Sequence, residues 1–242
     1  MIDKAVGIIR CSKYCFAFTG AGISVESGIP PFRGENSLWS RYNPEILDLD
    51  FFLSSPEKSW PVIKEIFYDF FGQAKPNSGH WALAKMEAKG YVKSIVTQNI
   101  DNLHHEAGSK EVYEFHGNSR RLVCTRCDNA LEVSDLVISE KPMYCDQCGA
   151  LLKPDFIFFG EGIPELAYQK SMEAARRADV CLIVGSTGEV MPAAMIPFEA
   201  KRHGAVIIEV NPRMSQFTSQ ITDIYLKGEA GEVLSAIEQA LN

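Results

Sequence analysis

The stretch Tyr14–Gly22, YCFAFTGAG, is a near-continuous apolar run that ends in a glycine turn. A run of this kind predicts a strand buried on both faces, as in a parallel sheet covered by helices. Similar runs recur along the chain, with amphipathic patterns between them that predict helices. The predicted strands are Tyr14–Thr19, Val92–Thr97, Glu111–Phe115, Val180–Val184 and Ala205–Val210, and the predicted helices are His80–Lys89, Glu165–Ala178, Pro192–His203 and Glu232–Leu241. This alternation predicts an α/β fold with a doubly wound, Rossmann-like parallel sheet.

Four of the seven cysteines form two pairs, Cys124-x2-Cys127 and Cys145-x2-Cys148. Two such knuckles at this separation are typical of a tetrahedral zinc site. The alternative is two disulfides or four idle thiols. Four thiolates would close the coordination shell, so the predicted zinc is structural and has no position for a catalytic water.

Two stretches interrupt the alternation of strands and helices. Residues 32–75 are rich in aromatic side chains, lack a strand pattern and include a predicted helix at Pro56–Phe71, whereas residues 116–154 carry the cysteine pairs. We therefore expect a large nucleotide-binding domain built from residues 1–31, 76–115 and 155–242. The helical insertion 32–75 and the zinc-binding insertion 116–154 would form a small domain against it, and ligand sites fall where such lobes meet.

The composition restricts the partners and the compartment. The chain has 242 residues and a net charge of −7, which argues against non-specific binding to nucleic acid or anionic membranes. The acidic excess is compatible with basic partners or simply with solubility. No apolar run is long enough to span a bilayer, and the N-terminus lacks a signal-peptide pattern. We expect a reducing, cytoplasmic location, and the oligomeric state stays open.

The glycine turn Gly20-Ala21-Gly22 directly follows the first predicted strand. Such glycines permit a tight turn and close approach of the backbone to a pyrophosphate. The third glycine of the dinucleotide fingerprint G-x-G-x-x-G is missing, because Val25 stands there. The turn alone is therefore weak evidence for phosphate binding. Phe32 and Arg33 follow with an aromatic face and a fixed charge, although Arg33 is equally compatible with a solvated loop.

Polar residues follow the four other predicted strands. Thr97-Gln98-Asn99-Ile100-Asp101 brings amides and a carboxylate to a strand end, where they could bind a ligand or cap a helix. Phe115-His116-Gly117 places a histidine at a strand end, where it could act as a general base near neutral pH. Gly185-Ser186-Thr187 forms another turn, and Asn211 either binds a ribose or starts a turn with Pro212.

In this order, these motifs resemble the sirtuins, which are NAD-dependent protein-lysine deacylases. The resemblance spans essentially the whole chain. The matching segments are GAGIS–ESGIP–FRG (20–34), PNSGH (76–80), TQNID (97–101), FHG (115–117), the two cysteine pairs, KPD–FFGE (153–161), VGS (184–186), Asn211 and GEAGEVL (228–234).

The resemblance implies a role for each matching residue. NAD would be a consumed co-substrate, bound by Gly20, Ala21, Gly22, Phe32, Arg33, Gln98, Asn99, Ile100, Asp101, Gly185, Ser186, Thr187, Asn211 and Ala230. Catalysis would rest on His116 as the base, with Asn99 and Asp101. An acyl-lysine protein substrate would lie along Phe159, Gly160, Glu161, Glu189 and Val190.

The reaction that the resemblance implies moves no hydride. The acyl oxygen of the substrate lysine attacks the anomeric carbon of the nicotinamide ribose and expels nicotinamide. His116 then helps to deprotonate a ribose hydroxyl, which attacks the carbon of the resulting imidate. Water completes the transfer and gives free lysine and O-acyl-ADP-ribose. An ionised Asp101 suits a site in which positive charge develops on the sugar.

The chain departs from the family pattern at two places. Pro31 stands where many sirtuins carry Asp or Thr, and Gly188-Glu189 follow the Gly185-Ser186-Thr187 turn where the family has apolar residues. We expect Glu189 to favour a basic residue beside the target lysine. Sirtuins that prefer succinyl or malonyl groups resemble one another in a Tyr-x-x-Arg pair, but Phe71 stands at the arginine spacing from Tyr68. Neutral acyl groups are therefore expected.

Two alternative functions remain. On the same fold, the protein could be a mono-ADP-ribosyltransferase that modifies a protein side chain. A zinc-ribbon module that recruits nucleic acid is the other alternative, but Asp128–Tyr144 holds one basic residue, Lys141, against several acids. The missing fingerprint glycine disfavours a dehydrogenase.

Overall fold

The computed structural model describes residues 1–32, 37–127 and 129–242. The helices are α1 (Ile2–Cys11), α2 (Leu49–Ser54), α3 (Pro56–Ile63), α4 (Ser78–Ala88), α5 (Leu103–Glu106), α6 (Glu165–Arg177), α7 (Met195–Arg202), α8 (Gln216–Gln220) and α9 (Ala230–Leu241). The strands are β1 (Cys15–Thr19), β2 (Val92–Thr97), β3 (Val112–Glu114), β4 (Gly117–Cys124), β5 (Ala130–Glu132), β6 (Leu152–Phe156), β7 (Val180–Val184), β8 (Val206–Asn211) and β9 (Ile224–Lys227). None of the helices in these ranges combines the length and apolar content that a membrane span needs.

The larger sheet has six parallel strands in the order β3-β2-β1-β7-β8-β9. The chain builds outward from β1 in one direction through β2 and β3. It then returns beside β1 with β7 and builds outward in the other direction. The point between β1 and β7 is therefore a topological switch point, where open α/β sheets bind ligands.

Both faces of this sheet are buried, as the apolar runs predict. Along β1, Cys15 and Ala17 face a core shared with α1, α4 and α9. Phe16 and Phe18 point to the opposite face, in a core shared with α6 and α7. This alternation follows from the period of two of a strand, and it confirms the doubly wound α/β class.

A second core belongs to the smaller lobe. It contains an antiparallel sheet in the order β5-β4-β6, together with α2 and α3. Trp60, Phe67 and Phe156 are fully buried there. The division into two domains stays a prediction. Its boundary at residues 154/155 falls inside β6, and the whole of this strand pairs with β4 in the smaller sheet.

The stretch Pro56–Phe71, predicted as one helix, consists of two successive helices of different type in the structure. α3 ends at Ile63, and Lys64–Phe70 continue as a wider π-helix. Pro61 lies inside α3 and has no N–H to donate, which weakens the regular ladder just before the change. The helix predicted at Pro192 begins later, at Met195.

Candidate functional site

The glycine turn after β1 packs directly on the turn after β7. The Gly20 N–H donates to the Val184 carbonyl at 3.0 Å, and the Gly22 N–H donates to the Gly185 carbonyl at 2.8 Å. A Cβ on Gly22 would lie 2.6 Å from the Gly185 Cα, and Gly185 has a φ of +63°. Both positions therefore require glycine, and the two turns form the floor of a crevice at the switch point.

A hydrogen-bond network crosses this crevice from Asn99 to Asp101. The Asn99 Nδ2 donates to the Gly20 carbonyl at 3.2 Å and to the Ser24 Oγ at 3.1 Å. The Ser24 hydroxyl donates in turn to the Asp101 Oδ2 at 2.6 Å. The glycine turn and the TQNID segment are thus joined through Ser24, a residue that the sequence did not single out as part of the site.

Asp101 makes a hydrogen bond at the start of α5, as the capping alternative predicts, and a second one to the glycine turn. Its Oδ1 accepts the Leu103 N–H at 3.0 Å at the start of α5, while its Oδ2 accepts the Ser24 proton. Burial raises the pKa of Asp101, and these two hydrogen bonds oppose the rise. The carboxylate is therefore held rigidly and is poorly solvated, so a nearby positive charge would interact with it strongly.

His116 lies between β3 and β4, next to the TQNID segment. Its Nδ1 is 3.1 Å from the Gln98 carbonyl oxygen. A carbonyl can only accept, so Nδ1 carries the proton and Nε2 keeps a free lone pair. Burial lowers the pKa of His116 despite this hydrogen bond. A neutral imidazole with Nε2 free is the form that a general base needs.

The pH dependence of activity should report this environment. A base with a pKa below the ordinary histidine value of about 6.5 stays neutral until the pH falls below that value. We expect kcat/KM to rise with pH along an acid limb whose midpoint lies below about pH 6.5, and then to level off. A profile measured from pH 4.5 to 8.5 checks this, and an acid limb centred above pH 6.5 would contradict it.

The opposite end of the crevice is built around Ser186. The Gln98 Nε2 donates a hydrogen bond to its Oγ at 2.9 Å, and the Asn211 Nδ2 donates one to its backbone carbonyl at 3.1 Å. Thr187 is exposed beside it and uses its carbonyl to accept the Gln216 N–H at 3.0 Å. Ala230 begins α9, and the next residue, Gly231, donates its N–H to Glu26 at 2.6 Å.

Two of the predicted cofactor-binding residues, Phe32 and Ile100, pack in the small lobe. Arg33 lies outside the described residues. Phe32 packs against Trp39 with ring centroids 5.6 Å apart, in the aromatic cluster of the small lobe. Ile100 is buried in the same lobe, and its carbonyl accepts the Ser119 N–H and hydroxyl.

The first predicted substrate segment, Phe159–Glu161, is held by both backbone and side-chain hydrogen bonds. Phe159 is half exposed, and its N–H and carbonyl bond to the backbone of Leu47 and Leu49, so Gly160 is held in the same loop. The Glu161 carboxylate is committed internally, because it pairs with the buried Lys153 at 3.0 Å and accepts the Phe158 N–H at 2.6 Å.

The second segment follows the turn after β7. Glu189 is exposed and Val190 is half-buried. Gly188 is buried, and a Cβ there would lie 3.1 Å from the Phe217 ring. The glycine beside Glu189 is therefore fixed by packing and is not a free hinge.

The four paired cysteines form one cluster. Their Sγ atoms all lie within 4.8 Å of one another, with Cys124 and Cys148 3.4 Å apart and Cys127 and Cys145 3.8 Å apart. Tetrahedral zinc with Zn–S bonds of about 2.3 Å needs sulfurs about 3.8 Å apart. These separations exceed the disulfide bond length of about 2.05 Å, and none of the cysteines is disulfide-bonded, so the disulfide alternative is wrong. The donor set and spacing fit a structural zinc ion.

The cysteine cluster is remote from the crevice. His116 precedes β4, whereas Cys124 ends it, and the strand is eight residues long. At about 3.3 Å per residue, the two ends are up to about 23 Å apart. His116 and the cysteine cluster therefore lie at opposite ends of β4.

Two further acidic residues bond to predicted site residues or to their neighbours. Glu26 lies in the matching segment ESGIP but was given no role, and Glu209 lies in no motif. Glu26 binds the N-terminus of α9, as described above, and Glu209 accepts a hydrogen bond from the Asn211 Nδ2 at 2.8 Å. Glu209 did leave a signal in the sequence, because it is a single charge in the apolar run VIIEV. A charge at such a position is buried and must find partners.

The chain is similar to a large group of known proteins. A family model described as "Sir2 family" matches residues 20–192. The NAD-dependent protein deacylase of Thermococcus sibiricus is 44% identical and aligns over 98% of this chain and 95% of its own length. The protein of the same name from Pyrococcus furiosus is 42% identical, over 100% and 98%.

Solved structures show the same relationship. A Sir2 homologue mutant in complex with ADP-ribose superposes with a TM-score of 0.95 at 40% identity, covering 100% of this chain and 96% of that one. A Sir2 protein solved with a deacetylated p53 peptide and 3′-O-acetyl ADP-ribose has a TM-score of 0.92 at 35% identity, covering 99% and 98%.

Proposed function

Because the chain belongs to the Sir2 family, we propose that it carries out the activity for which its relatives are named. It is an NAD-dependent protein-lysine deacylase that transfers the acyl group to ADP-ribose and releases nicotinamide. The observation that carries this proposal is the position of His116, a neutral base with Nε2 free, at one end of a crevice lined by the glycine turn and the Asn99–Asp101 network.

The residues of the crevice would divide the work along its length. NAD supplies the reactive ribose carbon and the ADP-ribose that accepts the acyl group. Asn99 and Asp101, tied together by Ser24, would orient the nicotinamide end, and the buried Asp101 carboxylate would stabilise positive charge there. Gly20, Gly22 and Gly185 would let the backbone approach the phosphates closely. Ser186 and Asn211 would hold the adenosine half.

His116 would act as the base of the acyl transfer. Its Nδ1 proton is held by the Gln98 carbonyl, so Nε2 is the atom that would take a proton from a substrate hydroxyl. The same hydrogen bond would stabilise the imidazolium that results.

Zinc would be bound by Cys124, Cys127, Cys145 and Cys148, whose spacing supports a saturated tetrahedral site. It would supply folding energy to the small lobe. The chain's own crevice residues would carry all of the chemistry.

The acyl preference follows from the wall that the small lobe provides. The Tyr68 hydroxyl is buried, and burial together with the negative charge of Asp155 raises its pKa. Phe71, three residues after Tyr68, is also buried. These surroundings disfavour an added carboxylate.

We expect kcat/KM for an acetyl-lysine peptide to exceed that for the matched succinyl-lysine peptide at least about fivefold. Incubation with NAD and a panel of acyl-lysine peptides, with nicotinamide and peptide followed by mass spectrometry, tests both the activity and the preference. Release of nicotinamide without loss of any acyl group would reject deacylation, whereas a preference for succinyl-lysine would reject only the proposed specificity.

Peptide selection would involve Glu189. This exposed carboxylate lies beside the turn after β7, where an ion pair with a basic residue next to the target lysine would be solvent-exposed. Such pairs contribute about 0.2–1 kcal/mol. The ratio of kcat/KM for peptides with lysine and with glutamate at that position should therefore fall about 1.5- to 5-fold in Glu189→Gln. Glu57→Gln, an exposed glutamate on α3, is the control, and an unchanged ratio in Glu189→Gln would remove this role.

Mono-ADP-ribosyl transfer remains the alternative on the same crevice, and a zinc-ribbon role in binding nucleic acid receives no support from the few basic residues of the insertion. The absence of disulfides among the cysteines supports a reducing, cytoplasmic location.

A further inference from the structure

Glu209 is a fully buried carboxylate in the apolar strand β8. It accepts hydrogen bonds from four neutral side chains: Asn211, Ser215, Thr218 and Thr222. A buried charge of this kind is costly, and the hydroxyl donors offset that cost. Three of the four donors are hydroxyls, which can rotate to donate or to accept. Asn211 is the one partner whose orientation the carboxylate controls.

Both amide protons of Asn211 have partners. The Nδ2 donates to the Glu209 Oε1 at 2.8 Å and to the Ser186 carbonyl at 3.1 Å. A flipped amide would direct its oxygen at a carboxylate and a carbonyl, both of which only accept. The backbone carbonyl of Asn211 is also held, by the Tyr225 hydroxyl at 3.0 Å and the Gly228 N–H at 3.3 Å. The residue therefore has one allowed orientation.

This orientation leaves the Asn211 Oδ1 as the free polar atom. It accepts no hydrogen bond within the described part of the chain, yet it is not one of the sealed, unpaired side-chain atoms there. Oδ1 is therefore not sealed off. Because Asn211 ends β8 at the carboxyl edge of the parallel sheet, where such sheets bind ligands, Oδ1 is available there as an acceptor. An acceptor recognises a hydroxyl and rejects another acceptor.

The position of Asn211 identifies which part of a ligand it meets. His116 follows β3 and Asn211 ends β8, and these strands are four places apart in the sheet. At about 4.8 Å per place, they are separated by about 19 Å. A dinucleotide that reacts at His116 therefore brings its distal, adenosine end to Asn211.

We propose that Glu209 is a positioning residue that locks the Asn211 amide so that Oδ1 accepts a hydrogen bond from one hydroxyl of the adenosine ribose. This inference rests on the proposed function, because it assumes that the crevice binds NAD. It predicts that the acceptor on Glu209, and not its charge, matters. In Glu209→Gln the amide oxygen still accepts from Asn211, and the threonine hydroxyls reverse to accept the new N–H groups.

The test compares ADP-ribose with its 2′-deoxyadenosine and 3′-deoxyadenosine forms, by calorimetry, on the intact protein. Wild type and Glu209→Gln should bind one of the two deoxy compounds about three- to tenfold more weakly than ADP-ribose, the effect of one hydrogen bond. Glu209→Met should bind ADP-ribose more weakly by a similar factor and should distinguish the deoxy compound less than twofold. It should raise KM for NAD and leave kcat near that of wild type.

Glu199→Met is the matched control, because Glu199 is a buried glutamate on α7 that pairs with Arg176 away from the crevice. It should lose stability without a change in nucleotide affinity or discrimination. Equal binding of all three compounds by the wild type, or full discrimination by Glu209→Met, would overturn the proposal. If Glu209→Met fails to fold, slow hydrogen exchange of the Asn211 side-chain amide in the wild type supports the lock, and fast exchange rejects it. Failure of the wild type to bind ADP-ribose at all would instead reject the proposed function.

Discussion

Replacing His116 with alanine is expected to lower kcat for deacylation about 10²- to 10⁴-fold, the usual contribution of a general base. The expectation follows from the hydrogen bond that His116 makes and from its burial. The Gln98 carbonyl fixes the proton on Nδ1, and burial holds the pKa below its ordinary value, so that Nε2 is free at neutral pH. Alanine removes that acceptor, and none of the contacts described for the glycine turn, Asn99 or Asp101 involves the imidazole.

The measurement is steady-state formation of deacylated peptide, together with the affinity for ADP-ribose and the melting temperature. Affinity and melting temperature should change little, because the loss is confined to the chemical step. His203→Ala, at the end of α7, should behave like the wild type in all three. A His116→Ala protein that keeps kcat within about threefold of wild type would show that another group is the base.

Replacing Cys124 with serine is expected to remove zinc, stability and activity together. Structural zinc sites contribute about 10 kcal/mol or more to the folding of small domains. Here the cluster joins the end of β4 to the segment before β6, since Cys124 lies within 3.4 Å of Cys148. Without the metal, the three-stranded sheet loses its anchor at that end, and we expect the small lobe to unfold.

Metal analysis, melting temperature and deacylation are measured on the same preparation. Cys11→Ser is the control, because Cys11 is an exposed thiol on α1 outside the cluster. It should keep zinc, stability and activity. A Cys124→Ser protein that is free of zinc but as stable and active as the wild type would remove the structural role. A stable, folded variant that lost activity alone would indicate that the metal takes part in the reaction.

The large sheet was predictable because its strands are buried on both faces. The runs at β1, β2, β7 and β8 stand out from their surroundings, and their predicted bounds differ from the structure by one residue or none. β9 was missed, since its four residues form a short strand at the sheet edge. α1 was missed as well, although its residues Ala5, Val6 and Ile9 form a buried stripe.

The small lobe was less predictable because tertiary pairing determines it. β5 has only three residues, and β4 pairs with β6, a strand far from it in the sequence. The local sequence pattern alone therefore does not identify these strands. The same reason explains the site residues. Motifs pointed to Asn99 and Asp101, but the serine that links them and the glutamate behind Asn211 acquire their roles from distant segments. Such roles depend on which strands become neighbours.

The most direct test of the central claim is to find which molecule carries the acyl group after the reaction. The protein is incubated with NAD and an acetyl-lysine peptide, and all products are identified by mass spectrometry. We expect the peptide to lose its acetyl group while nicotinamide and O-acetyl-ADP-ribose form in equal amounts, one of each for each lysine released. A peptide that instead gains the mass of ADP-ribose, or an acetyl group recovered as free acetate while NAD stays intact, would contradict the account.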